Sequence, residues 1–413
     1  MSRLRRRLRA RWDYLAFQVA NEWPILLSVA GVILGAATIL PSGVAIVLGG
    51  IAFVVGLGAF YHDIHSLRRR WSEYEFHLIA APIRATDIPP PPSYPEPIYL
   101  YIPGTGRGTA LISDAIDRIV AGQDLATELD EEPYLLPKSL KASMPYLLPV
   151  ISRGRLVFNG RVIGMHGDPL PRGPHAAEPI RLHVARFFDS QCSNEMCQMR
   201  ITHRDGGDEF DPRQRLLISA NGYLNMLAES VLADVIGIST VALTVDGEIV
   251  LVRQTFRNVG SPMLLAPSGS GSLHPKDLGK NRREILQDMV RRGMQRELCE
   301  ETPVQPEDIR RTTVVGFARW LERGAKPEFF GVTELSITAK DLASRPGHLA
   351  QGESLFSDGT FTAKVNLDLL GHELASGTEL LDASSLPTRI KDEGSLPLLL
   401  ALRAAALWRV NFA

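Results

Sequence analysis

The sequence predicts an α+β chain in which an N-terminal transmembrane helical hairpin precedes a soluble part built of strands and helices. Three observations lead there. Two uncharged stretches, 24–40 and 44–60, stand near the start. Several later segments alternate apolar and polar residues and are joined by turn signals, the pattern of paired strands. One stretch, 282–301, repeats its apolar residues at helical spacing and ends in a dense group of glutamates.

Composition sets the outer limits. At 413 residues, 45% hydrophobic and 22% charged, the chain has room for two or three domains and a sizeable core. A formal net charge of -1 leaves no basic excess for a phosphate backbone, so a nucleic-acid duplex is not an expected partner. The cysteines Cys192, Cys197 and Cys299 are too few for a disulfide framework and suit a reducing compartment.

Residues 1–23 carry six arginines within the first eleven positions and are expected as a basic cytoplasmic N-terminus. Residues 24–60 follow as two uncharged runs turned at Pro41-Ser42-Gly43, each long enough as a helix to span a hydrocarbon layer of roughly 30 Å. Arg68, Arg69 and Arg70 come after the second run, which places both termini on the cytoplasmic side of the inner membrane. Gly31, Gly35, Gly49, Gly50, Gly56 and Gly58 give these helices small faces for close packing, so a homo-oligomer is expected. Residues 61–97 start as a juxtamembrane helix and continue from Pro82 to Pro97 with seven prolines in sixteen residues. Such a stretch is extended and semi-rigid, a spacer that holds the following part away from the lipid.

No single fold follows from residues 98–233. Ile98–Ile102 is expected as a strand, Leu111–Ala121 as a helix, and a hairpin is centred on Asn159-Gly160. Gly104-Thr105-Gly106-Arg107-Gly108 lacks the spacing of a phosphate-binding fingerprint and is expected as a turn. Ile180–Phe188 reads as a strand, Cys192 and Cys197 as buried thiols, and Leu216–Ile236 as an amphipathic helix with Leu224, Leu227, Val231 and Val235 on one side.

Residues 234–413 are more legible. Ser239–Val245 and Glu248–Gln254 flank Asp246-Gly247, a strong hairpin signal. Gly269, Ser270 and Gly271 lie in a loop whose amides can approach a ligand closely. The helix expected over 282–301 carries Ile285, Leu286, Met289, Val290, Met294 and Leu298 as its apolar stripe and stops before Pro303. Glu297 lies three and four residues before Glu300 and Glu301, so the three share one face, a set of oxygen donors suited to a metal ion.

Arg296-Glu297-Leu298-Cys299-Glu300-Glu301 resembles the R-E-U-x-E-E core of the Nudix box. Its surroundings are similar to that family as well: a hairpin before it, a glycine-rich loop after Pro267, strands at Thr312–Leu321 and Glu328–Leu335, and a last helix at Leu396–Arg409. The resemblance spans 234–413 and implies a Nudix-like α/β/α sandwich with a mixed sheet. It also implies that Glu297, Glu300 and Glu301 hold Mg2+ or Mn2+, that Arg296 orients them, and that Arg296 and Glu300 are catalytic. The first half of the box departs from the pattern. Position 288 is Asp, position 282 is Arg, the preceding loop is about a dozen residues longer, and Pro303 replaces a glycine.

Two membrane helices joined to such a domain are similar to effectors of bacterial cyclic-oligonucleotide antiphage signalling. That resemblance implies a membrane-anchored effector. Its Nudix-like domain binds a nucleotide or cyclic oligonucleotide, and its helices disrupt the inner membrane. The alternative is a membrane-anchored Nudix hydrolase that cleaves a nucleoside-diphosphate-linked substrate with Mg2+; the incomplete box favours sensing. Expected ligand contacts are Gly269, Ser270 and Gly271, with Arg319 on phosphate and Trp320 stacked on a base; Arg253, Arg323 and Phe329 are further candidates.

Overall fold

A computed structural model describes residues 74–78, 83–84, 87–104, 106–137, 159–170, 178–206, 210–255, 263–345 and 357–412, with isolated positions 43, 47, 49, 50, 140, 143 and 147. The expected hairpin at 24–60 lies outside the described residues except for Gly43, Val47, Gly49 and Gly50, which are helical. Among the described residues, no helix is long and apolar enough to cross a membrane.

In chain order the elements begin with β1 (Tyr74–Leu78), β2 (Ile98–Ile102), β3 (Gly108–Ile112), α1 (Asp114–Gly122), β4 (Ala126–Leu129), β5 (Arg161–His166) and β6 (Ile180–Arg186). They continue with α2 (Phe187–Gln191), β7 (Met199–His203), α3 (Pro212–Leu216), β8 (Gly237–Leu243), β9 (Glu248–Gln254), β10 (Leu265–Ala266), β11 (Gly269–Ser272) and β12 (Arg283–Ile285). The last are α4 (Leu286–Glu301), β13 (Ile309–Trp320), β14 (Lys326–Leu335), α5 (Ala339–Ser344), β15 (Ser357–Lys364), α6 (Leu367–Ala375), α7 (Thr388–Glu393) and α8 (Leu396–Phe412).

Two compact units divide the chain. The first takes 1–78, 135–153 and 199–211, and in it β1 pairs antiparallel with β7, Tyr74 opposite His203. The second takes 79–134, 154–198 and 212–413 and holds both larger sheets.

Among the described residues the main sheet has nine strands, ordered β10-β9-β8-β14-β13-β3-β2, with β11 beside β8 and β15 beside β9. β14 runs parallel to β8 while the other pairs are antiparallel, so the sheet is mixed, as expected. One edge of β8 serves two partners: Gly237–Thr240 face β11, and Ala242 and Leu243 face β9. Ser268 bridges this fork, its Oγ accepting from the Ala242 amide (2.7 Å) and donating to the Val250 carbonyl (2.5 Å). The loop carrying the glycines is therefore pinned at its base.

Strand side chains alternate, so the two faces of β14 bury different partners. Phe330 and Val332 join the large cluster formed with Leu398, Leu399, Leu402 and Ala405 of α8. Gly331 faces the other way, where a Cβ would stand 2.5 Å from the Met294 sulfur of α4. A second cluster below α4 gathers Leu298, Val304, Ala242, Val250 and Leu335. The sheet thus lies between α8 and α4, a helix–sheet–helix layering. A smaller four-stranded sheet, β12-β4-β6-β5, completes this unit.

Several expected elements are placed differently. The helix expected from 282 starts at Leu286, because 283–285 pair with 126–128 as β12 and Arg283 meets Glu128 across the strands at 3.0 Å. Leu111 and Ile112 belong to β3, and Ser113 caps α1 by accepting from the Ile116 amide. The helix expected over 216–236 ends at Leu216. Asn221-Gly222 turns the chain, Gly222 having φ of 83°, and Ser219 then donates its amide to the Tyr223 carbonyl. The proline-rich stretch is not a detached spacer. Ile88 and Tyr94 are buried, the Leu224 amide donates to the Pro89 carbonyl, and Ser113 Oγ donates to the Pro95 carbonyl.

Candidate functional site

The face of α4 that carries the glutamates is organised around one guanidinium. Arg296 donates from Nε and Nη2 to the two oxygens of Asp277, both at 2.8 Å, a two-pronged contact that fixes the plane of the group. Its Nη1 donates to Glu297 Oε1 (2.8 Å) and Glu300 Oε2 (2.9 Å), and Nη2 also reaches the Ser272 carbonyl (3.2 Å). Burial works against the charge of Arg296, but Asp277 and Glu297 outweigh it and hold its pKa above the ordinary value. Arg296 stays cationic.

The third glutamate is held by the glycine strand. The Ser270 amide donates to Glu301 Oε2 at 2.9 Å. This contact needs β11 to run directly against α4, and only glycine permits it. A Cβ at Gly269 would stand 2.5 Å from the Leu298 amide nitrogen, and one at Gly271 would stand 2.2 Å from Glu297 Oε1. Gly269, Ser270 and Gly271 are therefore next to the acidic face.

Asp277 comes from a single 3-10 turn, Pro275–Asp277, inside the lengthened loop. It is 3% exposed and also accepts from the His274 amide (2.8 Å). The same turn places Lys276 Nζ 3.1 Å from Glu300 Oε1, and the Asp277 carbonyl accepts from Arg292 Nε at 2.7 Å. Arg292, Arg296 and Glu300 lie at successive i,i+4 positions, so the turn clamps one stripe of α4. Lys276 and Asp277 belong to no motif visible in the sequence. The signal available was an aspartate two residues after a proline in a polar loop, which is common at helix starts and points to no particular partner.

Cys299 lies between the glutamates on the same helix. Burial first, and then Asp308, Glu307 and Glu300, push its thiol up to about 11, so it is not a thiolate nucleophile at neutral pH.

A hard divalent cation fits this donor set in kind, since all three groups are carboxylates and two of them converge on a single nitrogen. In this arrangement Arg296, Lys276 and the Ser270 amide engage them, and among the described residues no three His, Cys, Asp or Glu side chains are grouped to hold a metal ion.

The remaining expected ligand residues lie elsewhere. Arg319 is 1% exposed, donates to the carbonyls of Ala325 (3.0 Å) and Asn225 (2.6 Å), and faces Asp168 at 3.6 Å. Trp320, its neighbour, points to the opposite face of β13 and is 3% exposed within the α8 cluster. Neither side chain is open to a ligand in this arrangement, and alternation along a strand keeps them from acting on one. Arg253 pairs with Glu393, Arg323 pairs with Glu195, and Phe329 is buried against Phe317 at 5.0 Å. Cys192 and Cys197 are buried thiols, Gly104 and Gly106 take positive φ as a turn requires, and Gly108 opens β3.

No family model matches the sequence, and no curated protein matches it significantly. Among solved structures, the chain is similar to DR0079 from Deinococcus radiodurans, with 13% identity and a TM-score of 0.22 over 40% of this chain and 89% of that one. It is also similar to a MutT protein from Methanosarcina mazei Go1, with 18% identity and a TM-score of 0.21 over 38% of this chain and 88% of that one.

Proposed function

We propose that the unit carrying α4 is a Nudix-type domain that binds a diphosphate-containing nucleotide and hydrolyses its anhydride with Mg2+ or Mn2+. The observation that carries this reading is the array in which Arg296 joins Glu297 and Glu300 while the glycine strand holds Glu301. Glu297, Glu300 and Glu301 would hold the cation. When bound, it supplies charge neutralisation for the diphosphate and lowers the pKa of a water nucleophile. Arg296 keeps two carboxylates in a fixed relation, the Ser270 amide fixes the third, and Gly269 and Gly271 keep β11 bare enough for a phosphate to approach the strand.

One contact favours a second reading, binding without turnover. Lys276 sets an internal cation against Glu300 at 3.1 Å, where a hydrolase needs that carboxylate for its metal. In that reading the domain senses a nucleotide or cyclic oligonucleotide, and the 24–60 hairpin of a homo-oligomer disrupts the inner membrane.

The two separate on one experiment. The purified full chain is incubated with nucleoside-diphosphate-linked compounds and Mg2+, and nucleoside monophosphate is measured by chromatography. Release that disappears in Glu300→Gln supports the hydrolase. No release, with a cyclic oligonucleotide bound, overturns it in favour of the sensor.

A further inference from the structure

The acidic face has a supporting group outside the motif that the sequence displays. In a complete Nudix box the carboxylate eight residues before the arginine belongs to the motif, and here that position is Asp288. Asp288 faces away. It pairs with Arg291 at 2.6 Å, both side chains more than two-fifths exposed. Arg296 instead receives its two-pronged carboxylate from Asp277, nineteen residues earlier, in a site where both partners are largely buried.

We infer that Asp277 is the positioning residue of this site: by fixing the plane of Arg296 it sets where Glu297 and Glu300 stand to receive a divalent cation. The inference rests on the metal-binding part of the proposed function. Its physical basis is the number of constraints. A guanidinium offers five N–H groups in one plane, and here two are committed to Asp277, the two on Nη1 go to Glu297 and Glu300, and the last reaches the Ser272 carbonyl. With Asp277 in place, rotation of Arg296 is blocked. Without it, the group can turn about its Cδ–Nε bond, and Glu297 and Glu300 lose a common anchor. The turn that presents Asp277 is itself braced: Lys276 donates its amide to His274 Nδ1 (3.1 Å), and Asp277 Oδ2 accepts from the His274 amide. The extra loop length is thus used to deliver one carboxylate.

The test is a Mn2+ titration of the purified full chain followed by electron paramagnetic resonance, on the wild type, Asp277→Asn, Asp277→Glu and Asp288→Asn. Asp288→Asn removes the same charge from nearby and controls for a general loss of negative potential. Asp277→Asn is expected to weaken Mn2+ binding by about tenfold, the usual scale for an outer-shell partner of a ligand. Asp277→Glu keeps the carboxylate and is expected to restore most of the affinity; Asp288→Asn leaves it unchanged. In an Arg296→Gln background, Asp277→Asn is expected to add nothing further, because its effect passes through the arginine. A purely structural aspartate would give additive losses in that pair. Should Asp277→Asn fail to fold, Arg296→Lys, which keeps the charge and loses the two-pronged contact, carries the same tenfold expectation. Equal affinity in wild type and Asp277→Asn, or equal weakening by Asp277→Asn and Asp288→Asn, overturns the inference and leaves metal binding intact. A wild type that binds no Mn2+ overturns the metal reading and this inference with it.

Discussion

Asp117 on α1 accepts a 2.8 Å hydrogen bond from the Phe317 amide, next to the register shift between Val314 and Gly316 on β13. A bulge leaves strand amides without ladder partners, and here a helix carboxyl takes one of them. Burial raises the pKa of Asp117 to about 7, against the opposing effects of the Phe317 amide and Arg403. A carboxyl raised in the fold favours the folded state when protonated, so its contribution is complete below the ordinary value of 3.8 and is lost as pH rises through about 7. Asp117→Asn, which cannot ionise, is expected to gain melting temperature relative to wild type between pH 4 and pH 8. A pH-independent difference in thermal melts counts against this.

Glu373 behaves in the opposite sense. It accepts from the amides of Ser384 (3.0 Å) and Ser385 (3.1 Å) and from both hydroxyls, and the hydroxyl bonds hold its pKa down at about 2. The contribution of the carboxylate is present above the ordinary value of 4.5 and is lost as pH falls through about 2. Glu373→Gln is expected to speed hydrogen exchange at the Ser384 and Ser385 amides at neutral pH while leaving β13 and β14 protected. Unchanged exchange at these two amides rules out this role.

The two glycines of β11 are expected to separate stability from site geometry. Gly269→Ala sets a methyl against the α4 backbone, which cannot move alone, and is expected to cost about 1–3 kcal/mol in urea unfolding. Gly271→Ala meets only the carboxylate end of Glu297, so its cost in stability is smaller but Glu297 is displaced. Mn2+ titration of Gly271→Ala should show weakened binding at near-wild-type stability. Equal unfolding costs for the two variants would be the contrary result.

Arg319 gives a third kind of test. Burial lowers its pKa, but Asp168, Tyr94 and Asp234 outweigh this and hold it above the ordinary value. Arg319→Met strands Asp168, which also accepts from Tyr94 Oη (2.6 Å) and the Leu227 amide (2.7 Å), and is expected to destabilise by about 3–5 kcal/mol. Tyr94→Phe removes one of those donors and is expected to cost about 1 kcal/mol. Nucleotide affinity in Tyr94→Phe should stay at the wild-type level. A drop in affinity without a drop in stability would place the network in the binding site.

Local patterns carried much of this unit. The hairpin at Asp246-Gly247, the strands at 309–335 and the apolar helix at 396–412 all follow from periodicity and turn chemistry, which act over a few residues. The elements that were misplaced depend on distant partners. β12 looks helical until β4 pairs with it from 155 residues away, and 217–236 keeps a helical stripe that the Asn221-Gly222 turn overrides. The site divides along the same line. Glu297, Glu300, Glu301 and Arg296 lie at helical offsets that a linear reading can find. Asp277 cannot be found that way, since only the folded loop brings it to Arg296. Arg319 and Trp320 have the residue types of phosphate and base contacts, but as neighbours on a strand they point to opposite faces.

The docked proline stretch fixes where an excised domain must begin. A fragment starting at residue 98 would leave Asp168 without Tyr94 and Glu322 without the Ile83 amide, which donates to it at 3.1 Å, and would remove the buried side chain of Ile88. The second unit therefore needs the chain from Ile83 onward, with the prolines inside it.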